Sequence, residues 1–379
     1  MDNSDKKITH IITGLNLGGA ERALQKLILN QCLPHKNILV ISLTTTGSIG
    51  IQLQEKGFRV ITLDMKSFFS VPNTIKKLIE ILKKESPDIV QTWLYHADLL
   101  GGIAARLAGI TNIIWGIRTT ELRRGSYSTA IIRRICALLS NVIPKKIVSV
   151  AYSAQRRHID LGYNSKNMIV IGNGFDTSIK ASNDRSRKEI RSIHQIDENT
   201  ILIGSVGRFN QVKGQDLFIK SIKFLAPEYP NLKYILIGRN NNNENQELMK
   251  WIKESGYPEK IILVEETEHI EKYYSAMDIF CLHSRSEGFP NVLGEAMLSA
   301  LPCISTNVGD AALLLDNNKF ITKGISSEEL ADTINKMLSL SCYERAVIGA
   351  KSRERIIKYF AMSSISDKYL CLYNEILSC

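Results

Sequence analysis

Two carboxylates eight residues apart, Glu287 and Glu295, bracket a turn within CLHSRSEGFPNVLGEAMLSA, residues 281–300. Ahead of it, DIFCLH is a short apolar run of strand length, and behind it Val292, Ala296, Met297 and Ala300 recur at helical spacing. The spacing predicts a strand, a polar turn and a helix, with Pro290 at the first helical position and Gly288 allowing close backbone approach. Helical side chains lean toward the N-terminus, so Glu295, about a turn and a half in, points back to the mouth where the first amides lack intrahelical acceptors. A carboxylate there can accept both hydroxyls of a ribose. The amides around Asn291, Val292 and Leu293, with the partial positive charge of a helix start, suit a diphosphate. Glu287, next to Gly288 and Phe289, sits at the rim where a sugar would hang. The competing reading is a surface acid followed by a capping acid.

A basic pair follows another strand-like run, in SVGRFNQVKGQD: Arg208 and Lys213, five residues apart. A leaving nucleoside diphosphate gathers negative charge as its bond breaks, and without a metal fixed cations must meet that charge. Arginine offers a fork for phosphate oxygens and lysine a point charge. Near the start of the chain, Gly18 and Gly19 open a segment whose Leu24, Leu27 and Ile28 share a helical face. Glycines at such a strand-to-helix junction let amides approach a phosphate or a sugar ring, although the spacing is not that of the dinucleotide fingerprint. His96 falls in a loop, Thr92 to Asp98, at the carboxyl end of a third strand-like run. That position gives it a candidate catalytic role beside the plainer reading of a solvated loop histidine.

These residues need scaffolds. Apolar runs of strand length (ITHIIT, NILVISL, FRVITL, DIVQTW, NIIWGI, KIVSV, MIVIG) alternate with helical segments, and a second series follows (TILIGSV, KYILIG, KIILVE, DIFCLH, PCIST). Such alternation implies an α/β fold with two Rossmann-like parallel-sheet domains. At 379 residues the chain exceeds one ordinary core. The boundaries read as residues 1–177 for an acceptor-binding domain and 178–360 for a nucleotide-sugar-binding domain, with 361–379 packing back on the first. The segment after IGNGFD, TSIKASNDRSRKEIRS, is polar and without apolar period and reads as the linker. The asparagine run 240–243 reads as a loop with no chemistry. The last segment carries Ile365, Tyr369, Leu372, Tyr373 and Ile376 on one face, as a helix returning across a cleft would.

Residues 1–177 hold 23 Lys and Arg against 12 Asp and Glu, a balance of +11, whereas the remainder balances to −1. An excess confined to one half points to an anionic surface. From Arg118 to Arg157 there are nine basic residues and one acid, Glu121. Within that stretch Ile131, Ile132, Ile135, Leu138 and Leu139 make an apolar face with Arg133 and Arg134 at its margin and Arg123, Arg124, Lys145 and Lys146 flanking it. With few aromatic residues to stack bases, this fits an interfacial helix on an anionic membrane better than a nucleic-acid site. The seven cysteines include no C-x-x-C pair, no Asp-x-Asp occurs, and no His/Glu cluster has ligand spacing, so no metal is expected. No apolar run reaches the ~18 residues of a spanning helix and MDNSDKKITH is not a signal peptide, which leaves a cytoplasmic protein, peripheral on the inner face of the membrane.

GLNLGGAE, NGFD, the GR with a lysine five residues on, and EGFPNVLGE, in this order, resemble the retaining glycosyltransferases of family 4, which have the GT-B fold. The likeness covers nearly the whole chain, and the E-x7-E turn is its most specific part. It implies that Glu295 holds the nucleotide ribose, that Glu287 lies near the donor sugar, that Arg208 and Lys213 meet the diphosphate, and that Gly18 and Gly19 face it across the cleft. It implies no cofactor, the nucleotide-sugar donor being a substrate, and as acceptor a glycan or a polyprenyl-diphosphate-linked sugar. Two positions depart from the family pattern: Glu265 and Glu266 in VEETEHI, where a glycine is common, and AALLLD after PCISTNVGDA, where a glutamate is. Another class of reading is a nucleotide-sugar-binding protein or epimerase of the same shape, which has no need of an interfacial helix.

Overall fold

The computed structural model describes residues 6–31, 33–120, 127–178 and 183–378; Glu121, Arg123 and Arg124 lie outside these. The chain divides into two compact units, residues 1–174 with 362–379, and residues 175–361.

The first unit is built on seven parallel strands, β1 (Ile8–Ile12), β2 (Ile38–Ser42), β3 (Arg59–Thr62), β4 (Ile89–Trp93), β5 (Ile113–Ile117), β6 (Lys146–Ser149) and β7 (Met168–Val170), in the order β3-β2-β1-β4-β5-β6-β7. Helices cover both faces, so β1, β2, β4 and β5 are buried along their whole length and read as mainly apolar runs, with Thr9, His10, Ser42, Gln91 and Thr92 as buried polar members. The strand order reverses between β1 and β4, and the segments that follow those two strands carry Gly18 and Gly19 at one helix start and His96 in the first turn of another. The last helix, Met362–Ser378, belongs to this unit and buries Ile365, Tyr369, Leu372, Tyr373 and Ile376 against Trp93, Ile114 and Val148. Its polar atoms find partners in the sheet: the Tyr373 hydroxyl donates to Gln91 Oε1 at 2.5 Å.

The second unit has five parallel strands, β8 (Ile201–Val206), β9 (Leu232–Ile237), β10 (Ile261–Val264), β11 (Ile279–Leu282) and β12 (Cys303–Ser305), in the order β10-β9-β8-β11-β12. Here the order reverses between β8 and β11, the place where ligands enter such sheets.

Two segments differ from the sequence-based expectation. Within the stretch read as linker, Asp184–Ile193 is a helix of the second unit, with the Asn183 side chain accepting from the amides of Arg185 and Ser186. It is held by arginine rather than by an apolar stripe. Arg191, 5 % exposed, donates to the carbonyls of Ala276, Asp197 and Thr200, and Arg187 pairs with Asp278 at 2.6 Å. The helix Tyr127–Leu139 departs from the expected pattern at one of its flanking arginines. Arg133 is buried with its guanidinium over the Tyr95 ring, while Tyr127, Ile131, Ile135 and Leu138 are exposed. Lys145 donates to the Ile376 carbonyl and Lys146 pairs with Glu375, so both are engaged by the last helix. Of the flanking cations described, Arg134 alone is exposed.

Between the ends of β4 and β5, buried Asp98 accepts from the Thr92 hydroxyl at 2.5 Å and the Gly116 amide at 3.2 Å, and burial pushes its carboxyl up to about 8. An unfolded chain ionises this group above about pH 4. Between there and about pH 8 the unfolded state binds fewer protons than the folded one, so stability falls as pH rises through that window. Asp98→Asn removes the titration. Urea midpoints from pH 5 to 8.5 are expected to fall more steeply for the wild type than for the variant, and parallel profiles would refute the raised carboxyl.

Candidate functional site

The loops that leave β8 and β11 emerge side by side at the reversal of strand order in the second unit, and they carry the charged residues singled out by spacing. After β8 the chain runs from Gly207 through Arg208 to one 3-10 turn, Gln211–Lys213, and then to the helix Gln215–Leu225. After β11 it runs through His283 to Pro290 and into the helix Asn291–Leu298. Pro290 is the residue before that helix rather than its first position, and no side chain caps it.

The two loops are tied together. The Lys213 ammonium lies 2.7 Å from Glu287 Oε1, an oxygen that also accepts from the Ser284 hydroxyl at 2.6 Å. Arg285 forks onto both oxygens of Asp216, each at 2.6 Å, and its amide donates to the Val212 carbonyl. From the far side, the loop after β12 clasps the turn through the Asp310 amide, which donates to the Gly288 carbonyl at 2.9 Å. Gly309, at φ +54°, permits this contact because a Cβ there would overlap the same carbonyl. Arg208 is exposed, and among the described residues its guanidinium has no ion-pair partner.

Glu295 is half-buried in the second turn of its helix and accepts from the Tyr274 hydroxyl at 3.2 Å. Tyr274 is fully enclosed on the helix Ile270–Ala276, and burial first, then the Glu295 carboxylate, pushes its hydroxyl pKa well up, so it stays a donor. One of the amides expected to face an anion is already used: Leu293 donates to the Pro290 carbonyl, as does Gly294 after it. This 3-10 opening leaves the candidate anion contacts to the turn's outer edge, around Asn291 and Val292. Phe289 is likewise corrected. Its ring is 8 % exposed and packs between Phe175 and Phe360, with centroids 6.0 and 5.9 Å away, so it builds the underside of the turn instead of a ligand surface.

The acids that break the family pattern organise a neighbouring loop. Glu265 accepts from the Asn240 amide and the Asn242 side chain, and Glu266 pairs with Arg239. The asparagine run thus has a job: Asn241, 1 % exposed, donates to the Gly207 carbonyl at 2.9 Å, next to Arg208. The remaining site residues lie in the first unit. Gly18 precedes the helix Gly19–Asn30, whose start is already faced by the unit's own Glu21, since a Cβ at Gly18 would overlap that carboxylate. His96 lies in the first turn of Tyr95–Leu107, half-buried, and burial lowers its pKa. Spacing alone missed Tyr274, Ser284, Asn241 and the Asp216–Arg285 fork. Only Ser284 and Arg285 carried a signal, as polar residues inside the turn.

Comparison with known proteins covers both units. Residues 17–179 match a family model described as Glycosyltransferase Family 4, and residues 186–361 one described as Glycosyl transferases group 1. The chain is 25% identical over 317 residues to the capsular polysaccharide biosynthesis glycosyltransferase CapM of Staphylococcus aureus, covering 82% of this chain and 83% of that one. It is 25% identical over 328 residues to the UDP-Gal:alpha-D-GlcNAc-diphosphoundecaprenol alpha-1,3-galactosyltransferase of Escherichia coli, covering 83% and 80%. The crystal structure of Anabaena Alr3699/HepE in complex with UDP superposes with a TM-score of 0.85 at 20% identity, covering 97% of this chain and 100% of that one.

Gly294 is where the turn tolerates no side chain, because a Cβ there would drive into the Phe175 ring. Gly294→Ala is expected to destabilise by about 1–3 kcal/mol in urea unfolding, in the range of overpacked cores. Adding Phe175→Leu should recover part of the loss. An unchanged midpoint in the single variant would show that the ring yields freely.

Proposed function

Because the chain belongs to glycosyltransferase family 4 and has the GT-B fold, we propose that it moves a hexose or N-acetylhexosamine from a nucleotide sugar, a UDP-sugar, to a lipid-linked or polysaccharide acceptor, with retention of anomeric configuration. The observation that carries this reading is the convergence of Arg208, Lys213, Glu287 and Glu295 at the strand-order reversal of one sheet. In it, Glu295 takes the ribose hydroxyls, steadied by Tyr274. Arg208 and Lys213 meet the charge that develops on the diphosphate as the bond from the sugar's anomeric carbon to the phosphate oxygen breaks, so the reading needs no divalent cation. Glu287, held by Lys213 and Ser284, faces the donor sugar. Gly18, Gly19 and His96 stand at the corresponding reversal in the other unit. The UDP of the Anabaena complex and the diphosphoundecaprenol acceptor of the Escherichia coli relative support the choice of donor and acceptor.

The test is release of nucleoside diphosphate from a panel of nucleotide sugars, with and without a polyprenyl-diphosphate-linked sugar, in buffer containing EDTA. Release that depends on acceptor is expected. Release without acceptor growth, or interconversion of the donor sugar, would favour a binding protein or epimerase. Glu295→Ala should weaken nucleoside diphosphate binding by roughly 1.5–3 kcal/mol, the scale of a lost charge-assisted bond. Unchanged affinity by calorimetry would remove its ribose role.

The reading extends to the cytoplasmic face of the membrane through the exposed strip Tyr127, Ile131, Ile135 and Leu138, with Arg134 beside it. No helix among the described residues is long and apolar enough to cross a membrane. A strip of this size binds reversibly and gains from anionic lipid. The wild type is expected to sediment with anionic vesicles at low salt and Ile131→Asp with Leu138→Asp to stay in solution with donor binding intact. Equal sedimentation would mean the strip does not meet lipid.

A further inference from the structure

The loop after β8 has one turn of 3-10 helix, and a lysine at its end has four rotatable bonds between backbone and ammonium. What confines the Lys213 ammonium beside Glu287 is therefore the anchoring of its backbone. That anchor is the imidazole of His283, the first residue after β11. Its Nδ1 lies 2.7 Å from the Lys213 carbonyl and its Nε2 2.6 Å from the Ser205 hydroxyl near the end of β8. The ring is 3 % exposed and stacks on Phe218 at 4.7 Å, which stacks on Tyr234 at 4.3 Å. The next residue in the lysine loop, Gly214 at φ +71°, lies so close that a Cβ would overlap the His283 carbonyl. Side chain and main chain of one residue thus grip both sides of the turn that presents the lysine.

We infer that His283 is a positioning residue for transfer, locking Lys213 in register with Glu287 by bridging Ser205 to the Lys213 carbonyl. This rests on the reading of Lys213 as a cation for the donor diphosphate. The partners dictate the tautomer. A carbonyl oxygen only accepts, so Nδ1 carries the proton and donates to Lys213, and Nε2 accepts from the Ser205 hydroxyl. Burial, as the first cause, pushes the imidazole down to about 4, which keeps it neutral and able to hold both bonds at once. His283 touches no substrate in this arrangement; it acts through the lysine it holds.

Asparagine and glutamine separate the two halves of the bridge. His283→Asn places an amide donor near the Nδ1 position and can still hold the Lys213 carbonyl, whereas His283→Gln reaches toward Ser205 and leaves that carbonyl without its donor. Steady-state kinetics on the full chain with a UDP-sugar that proves to be turned over, alongside thermal midpoints and a Lys213→Ala control, decide the matter. The expected result is a kcat for His283→Gln about tenfold or more below wild type with donor KM little changed, a kcat for His283→Asn within a few-fold, and similar thermal midpoints for the two. Equal kcat for the two variants, or losses that follow the thermal midpoints, would overturn the positioning role. Lys213→Ala with wild-type kcat would instead overturn the lysine assignment on which it rests. Lys213→Ala down by about a hundredfold with His283→Gln unchanged would overturn the role of His283 alone.

Discussion

The contact between Lys213 and Glu287 joins two loops that are 74 residues apart in the chain and meet where the strand order of their sheet reverses. Both side chains are largely withdrawn from water, at 27% and 13% exposure. A charge pair in such a place is stable only when its remaining hydrogen-bonding capacity is also filled. The Ser284 hydroxyl adds a second hydrogen bond to the same Glu287 oxygen, and the ammonium keeps further donors to spare. That surplus matters for the proposed chemistry. A donor diphosphate brings about two negative charges, more than Arg208 alone can match, so Lys213 has to serve carboxylate and phosphate together.

Everything around the pair acts to hold its geometry. The Asp216–Arg285 fork and the His283 bridge zip one loop to the other, the Asp310 amide clasps the turn from the β12 side, and the Phe175, Phe289 and Phe360 rings fill the space beneath it. The Glu295 carboxylate is steadied by another element, through the Tyr274 hydroxyl. Lys213 and Glu287 sit on the segments leaving β8 and β11, and these are braced to the helix Gln215–Leu225 through Asp216 and Arg285. A loop left to itself would spread its charges by repulsion and entropy.

In the first unit the same topology places Gly18, Gly19 and His96 at the equivalent reversal, with an acid of the unit's own, Glu21, at the helix start. The helix Tyr127–Leu139 is the other notable feature there. Arg133 faces inward over Tyr95, while Ile131, Ile135 and Leu138 face water. The positive excess of this half therefore does not translate residue by residue into a basic surface, because Arg133, Lys145 and Lys146 are already engaged inside the fold.

All twelve strands among the described residues were legible in the sequence, and so were the turn between Glu287 and Glu295, the Arg208–Lys213 loop and the returning last helix. A strand buried on both faces is mainly apolar, and a helix on a sheet repeats its apolar residues every three or four positions; both are local properties of the chain. Which polar residues are buried, and against what, was decided by tertiary structure alone. The helix Asp184–Ile193 looked like a linker because arginines bonded to carbonyls and to Asp278, near 90 positions away, do what an apolar stripe does elsewhere. The inward turn of Arg133, the grip of His283 on Lys213 and the Tyr274 bond to Glu295 belong to the same class. A buried polar group is stable only where a partner arrives from another element, and no spacing along the chain records which partner that will be.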